Sequence, residues 1–310
     1  MIFFKLNKNK FDYVMSSISG LDGLSSTLKI IKHTKKIAIA NKESIICGWN
    51  LISKELKKNK TIFVPVDSEH FSIWSLIGSN ENINQKIEKI YLTASGGPFL
   101  NLPLNKFKKI NIKDALNHPN WRMGSKISID SATMMNKVFE IIEAKNIFNI
   151  DLKKLSIVIE PSSYIHCFVK FKSGLIKLLA HETDMMIPIF NSLIDDNNDK
   201  IHIKTKEIDF KKFNNFKLDS LNQNRYPITK VLNKINNKTT LFDTILVSLN
   251  DILVYKFLKN EISFNDISKT FLKLINTKEL IKFKYKSPKN VDEILKIREL
   301  VSLKLDSISI

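Results

Sequence analysis

Apolar residues in the first part of the chain fall in short runs separated by stretches of helical spacing. Tyr13-Val14-Met15 reads as a buried strand, and Gly20-Leu21-Asp22-Gly23-Leu24 as a loop entering a helix that runs to about Lys32. Lys36 to Ala40 is a second strand. It ends in Asn41-Lys42-Glu43-Ser44, and a helix follows from about Glu43 to Lys58. Thr61 to Val66 is a third apolar strand, ending in Asp67-Ser68-Glu69-His70. Strand alternating with helix predicts a parallel α/β unit. Polar residues just past a parallel strand stand where open sheets bind ligands.

Further along, Glu88 to Ala94 predicts a strand that runs into Ser95-Gly96-Gly97-Pro98. Ser131 predicts the cap of a helix from about Ala132 to Phe148. Leu155 to Ile159 and Cys167 to Phe171 are strand-like, and a Lys172-Ser173-Gly174 turn leads into Leu175 to Ala180 as a hairpin. Residues 196–224 are polar and rich in Lys and Asn, which predicts a connector. From about Ile228 onward apolar residues recur at helical spacing through Leu249, Phe257, Phe271 and Ile294. The expected fold class is α/β. A partial Rossmann-like nucleotide-binding domain covers residues 1–58, and an α/β catalytic domain covers 59–195. A linker covers 196–224 and a C-terminal helical bundle 225–310.

Composition narrows the function. A chain of 310 residues can bury a large core. The net charge of +18 suggests a nucleic-acid partner, but only three of the 49 basic residues are Arg: Arg122, Arg225 and Arg298. Bidentate phosphate and base readout favours Arg, so no nucleic-acid partner is expected. Cys47 and Cys167 cannot make a disulfide framework, which points to a reducing compartment. The apolar run at the N-terminus is too short for a secretory signal, and no uncharged stretch reaches the roughly 18 apolar residues of a membrane span. The expectation is a cytoplasmic protein with no membrane partner.

Two stretches carry candidate chemistry. Asp67 and Glu69 stand two apart at a strand end, so both carboxylates project to one side. They repel unless a cation lies between them. A solvated acidic turn would show the same pattern; Ser68, His70 and the preceding strand favour a site. Glu140 could add a third oxygen, and an all-oxygen set suits Mg²⁺ or Mn²⁺. Ser131 at a helix start, with Asn136, Lys137 and Glu140 in the following turns, could hold an anion at the helix N-terminus. A capped amphipathic helix explains Ser131, Lys137 and Glu140 equally well, but not Asn136, a poor interior helix residue. Ser95-Gly96-Gly97-Pro98 can turn backbone N–H groups toward a phosphate, as an ordinary tight turn also would. The loop from His118 to Gly124, with Trp121 between Pro and Gly hinges, suits a flap that excludes water. Together these features suggest a metal-dependent enzyme acting on a phosphorylated, oxygen-rich small molecule.

The stretches ANKES, PVDSEH, LTASGGPF, HPNWRMG and KISIDSATMMNK, in this order and spacing, resemble the 1-deoxy-D-xylulose 5-phosphate reductoisomerase family. The dense match runs from about Gly20 to Leu193, and Arg225-Tyr226-Pro227 continues it into the helical tail. The resemblance implies NADPH-dependent conversion of a phosphorylated ketose to 2-C-methyl-D-erythritol 4-phosphate, in the non-mevalonate isoprenoid pathway. It implies Asp67, Glu69 and Glu140 as metal ligands, and Lys42 and Ser68 as contacts near the reacting carbons. Ser95, Ser131, Asn136 and Lys137 match the phosphate pocket. His118 matches a substrate contact in the flap, with Trp121 and Met123 as its cover. Asn41, Glu43 and Gly124 match positions that touch NADPH. A homodimer, formed through the catalytic domain, is implied as well.

Departures from the family pattern are equally legible. Members open with a GSTGSIG-like loop that binds the NADPH pyrophosphate. This sequence holds no GxGxxG, and its beginning corresponds to a point well inside that domain. The expectation is therefore a reductoisomerase chain without the first half of its nucleotide-binding domain. The alternatives are a split-enzyme half needing a partner chain for NADPH, and a metal- and phosphate-binding protein without reductase activity. Glu160 and Ser162 stand where the family usually has His and Gln, Thr183 and Met186 where Pro and Arg are usual, and Val138 replaces a small residue.

Overall fold

A computed structural model describes residues 10–78, 83–194 and 201–307. The first strands and helices are β1 (Phe11–Ser16), α1 (Asp22–Ile31), β2 (Thr34–Ile39), α2 (Lys42–Asn59) and β3 (Ile62–Pro65). The three strands form one parallel sheet in the order β1-β2-β3, with Tyr13 opposite Lys36 and Ala38 opposite Val64. The boundary expected at residue 58 thus falls between two elements of one sheet. Asn41 caps α2 by accepting from the Ser44 N–H at 2.6 Å. Its amide also donates to the Ile18 and Gly20 carbonyls, which ties the end of β2 to the loop after β1.

Asp67-Ser68-Glu69-His70 does not extend the strand. Asp67 is the N-cap of helix α3 (Ser68–Ile77), and its carboxylate accepts from the Glu69 N–H at 3.2 Å. Asp is a strong cap and ends the extended backbone. The two carboxylates therefore leave a helix start rather than one face of a strand. β4 (Ile87–Ala94) begins a second sheet, completed by β5 (Leu155–Ile159), β6 (Ile165–Phe171), β7 (Ile176–Ala180) and β8 (Asp219–Ser220). Its order is β7-β6-β4-β5-β8, with β4 and β5 parallel and the other pairs antiparallel. The β6–β7 hairpin stands where the sequence places it. The expected connector is not only linker, because β8 pairs with β5.

The helix expected from Ala132 is two helices. α4 spans Ser125–Thr133 and α5 spans Met135–Phe148, separated by Met134 at φ 72°. A left-handed residue cannot continue a right-handed helix, so Ser131 lies in the last turn of α4 and does not cap α5. Met134 is not a residue that favours this backbone, and it lines the cavity described below. Asn136 is consequently in the first turn of α5, where its low interior propensity costs little.

α5 is buried on nearly every side. It is followed by α6 (Met186–Leu193), and the C-terminal part holds α7 (Leu241–Leu258), α8 (Phe264–Ile275) and α9 (Val291–Asp306). One apolar core joins Leu24 and Ile46 of the first unit to Phe139 and Ile142 of α5 and Phe242 and Leu246 of α7. A helix enclosed in this way must find partners for its charges. Lys145 is bound by the Asn236 carbonyl at 2.7 Å, the Lys238 carbonyl at 3.1 Å and Asp243 at 3.4 Å. Lys137 and Glu140, on the same helix, are answered at the cavity described below, and Glu143 is answered by Lys42. Among the described residues, no helix is long and apolar enough to cross a membrane.

Candidate active site

A cavity of about 250 Å³ opens where the start of α3, the end of β4 and the start of α5 meet. Lys42, Asp67, Ser68 and Glu69 line one side of it, and Ser131, Asn136, Lys137 and Glu140 another. Ser95, His118, Trp121 and Met123 close it from the loops. The structure thus brings together every expected metal-binding and substrate-binding residue. Asn41, Glu43 and Gly124 are not on this wall; they flank it, beside Ala40, Lys42 and Met123.

The charges alternate. Lys137 Nζ donates to Glu69 Oε1 at 2.8 Å and also pairs with Glu140. Lys42 Nζ donates to Asp67, lies 3.3 Å from Glu143 Oε2 and 3.6 Å from Glu140 Oε1. Asn136 Nδ2 donates to Glu140 Oε1 at 2.5 Å. One ligand atom from each of Asp67, Glu69 and Glu140 lies within 4.8 Å of the others.

These neighbours set the ionisation. Burial opposes charge on Asp67, but Lys42 and His70 outweigh it and hold the carboxyl well below its usual range. Burial likewise works against Glu69, and Lys137 overcomes it. Burial and the nearby Glu69 charge push Glu140 up to about 7, against Lys137 and Lys42. Both ammonium groups are raised because their carboxylate partners outweigh burial. Burial, then Lys137, lowers His118 to about 4, so its ring is neutral at pH 7.

The neutral ring fixes the loop. His118 Nδ1 accepts from the Asn120 and Trp121 N–H groups at 3.2 and 3.0 Å. Nε2 therefore carries the proton and donates to Ser95 Oγ at 3.1 Å. Ser95 Oγ also accepts from the Gly97 N–H at 3.0 Å, which leaves the serine proton free to donate into the cavity. The glycine turn is needed for this approach. Gly97 has φ +64°, and a Cβ there would stand 3.1 Å from the Ser131 carbonyl oxygen.

Sequence reasoning left His70, Glu143 and His166 unassigned. His70 Nε2 sits 2.9 Å from the Glu140 carbonyl oxygen and Nδ1 sits 3.1 Å from Asp67 Oδ1, which bridges the two carboxylate-bearing helices. Burial works against its charge, but Glu143 and Asp67 raise it to about 9. Glu143 is one turn beyond Glu140, so helical spacing on α5 signals it. His166 stacks on His181 with ring centroids 3.7 Å apart and meets the edge of Trp121. No local pattern marks it, because β6 reaches the cavity only through the sheet.

The family model described as 1-deoxy-D-xylulose 5-phosphate reductoisomerase matches residues 4–48. Two models of the C-terminal domain of that enzyme match residues 63–148 and 181–302. The chain is 61% identical over 302 residues to the 1-deoxy-D-xylulose 5-phosphate reductoisomerase of Pelagibacter ubique (strain HTCC1062), covering 97% of this chain and 77% of that protein. It is 40% identical over 258 residues to that of Wolbachia pipientis wMel, covering 82% of this chain and 65% of that protein. A crystal structure of DOX-P reductoisomerase in complex with NADPH, fosmidomycin and magnesium superposes with a TM-score of 0.86 at 30% identity, covering 95% of this chain and 76% of that one. The Zymomonas mobilis reductoisomerase in complex with NADPH gives 0.82 at 30% identity, covering 96% and 76%. On sequence and fold together, this chain belongs to the 1-deoxy-D-xylulose 5-phosphate reductoisomerase family.

Proposed function

We propose that the chain catalyses the reaction of its family: rearrangement of 1-deoxy-D-xylulose 5-phosphate and reduction by NADPH to 2-C-methyl-D-erythritol 4-phosphate, in non-mevalonate isoprenoid biosynthesis. The observation that carries this is the convergence of three carboxylates with Ser, Asn and Lys donors around one small cavity.

The residues fit both helper groups. Asp67, Glu69 and Glu140 offer only oxygen, and with Glu143 they outnumber Lys42 and Lys137, which suits a hard divalent cation such as Mg²⁺ or Mn²⁺. Asn41 and Glu43 follow the C-terminal end of β2, where parallel sheets receive nucleotides, and no atom would meet a Cβ at Gly124 within 4 Å. When bound, the cation supplies Lewis-acid polarisation of the ketose oxygens and NADPH supplies the reducing equivalents.

The chain's own residues bind and orient. The free Ser95 proton, the Ser131 hydroxyl, the Asn136 amide and the Lys137 charge take the phosphate. Lys42 and Ser68 sit beside Asp67 and Glu69 and hold the hydroxyl groups next to the reacting carbons. His118, being neutral, donates rather than repels Lys137, and Trp121 and Met123 cover the cavity and keep water out. The buried thiols Cys47 and Cys167 suit a reducing cytoplasm. β7 is an edge strand with Leu175, Ile176 and Leu178 exposed beside it, and a second copy covering that edge would form the homodimer.

The test is NADPH oxidation by the purified chain with 1-deoxy-D-xylulose 5-phosphate and Mg²⁺ or Mn²⁺. Metal-dependent oxidation yielding the methylerythritol phosphate is expected. A folded chain that binds substrate but never oxidises NADPH would overturn the proposal.

A further inference from the structure

Glu160 is a fully buried carboxyl that pairs with no Lys, Arg or His among the described residues. Its side chain accepts from the turn between β5 and β6 and from the first residue of β6. Oε1 accepts from the Ser162 N–H at 3.0 Å and from Ser162 Oγ at 2.7 Å. Oε2 accepts from the Tyr164 N–H at 3.0 Å and the Ile165 N–H at 3.4 Å. Four donors offset the cost of burying the carboxyl and tie the turn around it to one conformation. Here the conformation is unusual, because Ser163 is held at φ 56°.

That turn receives the flap. Asn120 Nδ2 donates to the Pro161 carbonyl at 2.7 Å and to Ser163 Oγ at 2.8 Å. Asn120 lies between His118 and Trp121, and its own N–H is bound by His118 Nδ1. The Glu160 N–H also donates to the Ala94 carbonyl at 2.8 Å, immediately before Ser95. The turn therefore grips both ends of the His118–Ser95 contact.

We infer that Glu160 and Asn120 form a latch: Glu160 folds the β5–β6 turn into a receiver, and Asn120 locks the loop 118–124 onto it so that His118 and Trp121 close over the phosphorylated ketose. Both are positioning residues, acting through His118 and Ser95. The inference rests on the proposed reaction for its kinetic consequence, but not for its structural one.

Asn120→Ala removes the two latch bonds, and Glu160→Gln replaces one acceptor oxygen with a donor facing Tyr164 and Ile165. In Asn120→Ala, KM for the phosphorylated ketose is expected to rise about tenfold with kcat less affected. Glu160→Gln is expected to shift the same way. The double variant is expected to be no worse than the weaker-binding single one, since both break one device. A protease specific for Arg reads the loop without turnover. Of the three Arg in the chain, Arg122 is exposed in the loop, while Arg225 is held by the Phe99 and Leu102 carbonyls and Arg298 lies within α9. Cleavage after Arg122, located by fragment mass, is expected to quicken in both single variants. Unchanged KM and unchanged cleavage in Asn120→Ala, or fully additive effects in the double variant, would overturn the latch. If Glu160→Gln fails to fold, Asn120→Ala alone decides. If the wild-type chain does not oxidise NADPH, the proposed reaction fails and the cleavage rates still judge the latch.

Discussion

Lys137 Nζ donates to Glu69 Oε1 at 2.8 Å, joining α5 to the start of α3 across 68 residues of chain. With the His70 bridge between Asp67 and the Glu140 carbonyl, this bond ties the two chemistry-bearing motifs together at one cavity. It also makes Lys137 the cation that keeps Glu69 ionised despite burial. Replacing it by Met keeps the volume and removes the charge. KM for 1-deoxy-D-xylulose 5-phosphate should rise at least about tenfold, and the preference for it over the phosphate-free sugar should shrink. Steady-state kinetics with both substrates checks this, and an unchanged preference would place the phosphate elsewhere.

Asp67 is both the α3 cap and a member of the carboxylate trio. Asp67→Asn preserves an acceptor for the Glu69 N–H but loses the charge, so it separates the two roles. Melting temperature should fall, because Lys42 and His70 lose a partner charge while the helix cap is kept, and turnover should fall about a thousandfold or more. Mn²⁺ titration followed by calorimetry should show weakened binding in the same variant. Wild-type metal affinity would remove Asp67 from the ligand set.

Gly97 packs against the end of α4 with its φ at +64°. Gly97→Ala would press a Cβ to 3.1 Å from the Ser131 carbonyl oxygen and strain the backbone as well. The cost should be roughly 1–2 kcal/mol of stability, with a raised KM because Ser95 and Ser131 are pushed apart. Chemical denaturation together with kinetics measures both effects. Loss of stability with KM unchanged would argue that the Ser95 turn can move independently of Ser131.

Lys145 and Asp243 are each fully buried, and Asp243 also closes the capping box of α7. Removing one partner strands the other charge. Asp243→Ala should destabilise the chain by about 3–5 kcal/mol, visible in a denaturant midpoint shift. It should leave KM of the surviving folded enzyme near the wild-type value, because neither residue lines the cavity.

Two histidines should shape stability against pH in opposite directions. Burial, then His181, lowers His166 to about 4 from 6.5, so the folded state holds it neutral. Its contribution is present above pH 6.5 and is lost as pH falls toward 4, on the order of 3 kcal/mol. His70 is raised to about 9, against burial, by Glu143 and Asp67. Its contribution is full below pH 6.5 and is lost as pH rises through 9. The loss of each contribution weakens stability, read as melting temperature, on one side of pH 6.5. His166→Asn should flatten the acid limb and His70→Asn the alkaline one; a variant that leaves its limb intact would show that another group sets it.

The order of strands and helices through β3, the β6–β7 hairpin and the helical C-terminal part are all readable from hydrophobic spacing, because burial on one face leaves a periodic trace. The cavity residues were legible for a different reason. Asp67, Glu69, Asn136, Lys137 and Glu140 are residue types with little to gain from packing, placed beside apolar runs. The break at Met134 was not legible, since a left-handed Met carries no compositional mark and is held there by the surrounding packing.

Nor does spacing reveal which charges meet. Local pattern places Lys42, Glu143, His70 and His166 on four separate elements, each with an ordinary surface or core reading. Only the packing of α5 against α2, α3 and the strands β4 and β5 makes their burial unavoidable and forces them to answer one another. The chemical vocabulary of the site is thus a property of local sequence. Its pairing, its ionisation and the grip of the Glu160 turn on Asn120 arise from contacts between residues dozens of positions apart, and these exist only once the chain has folded.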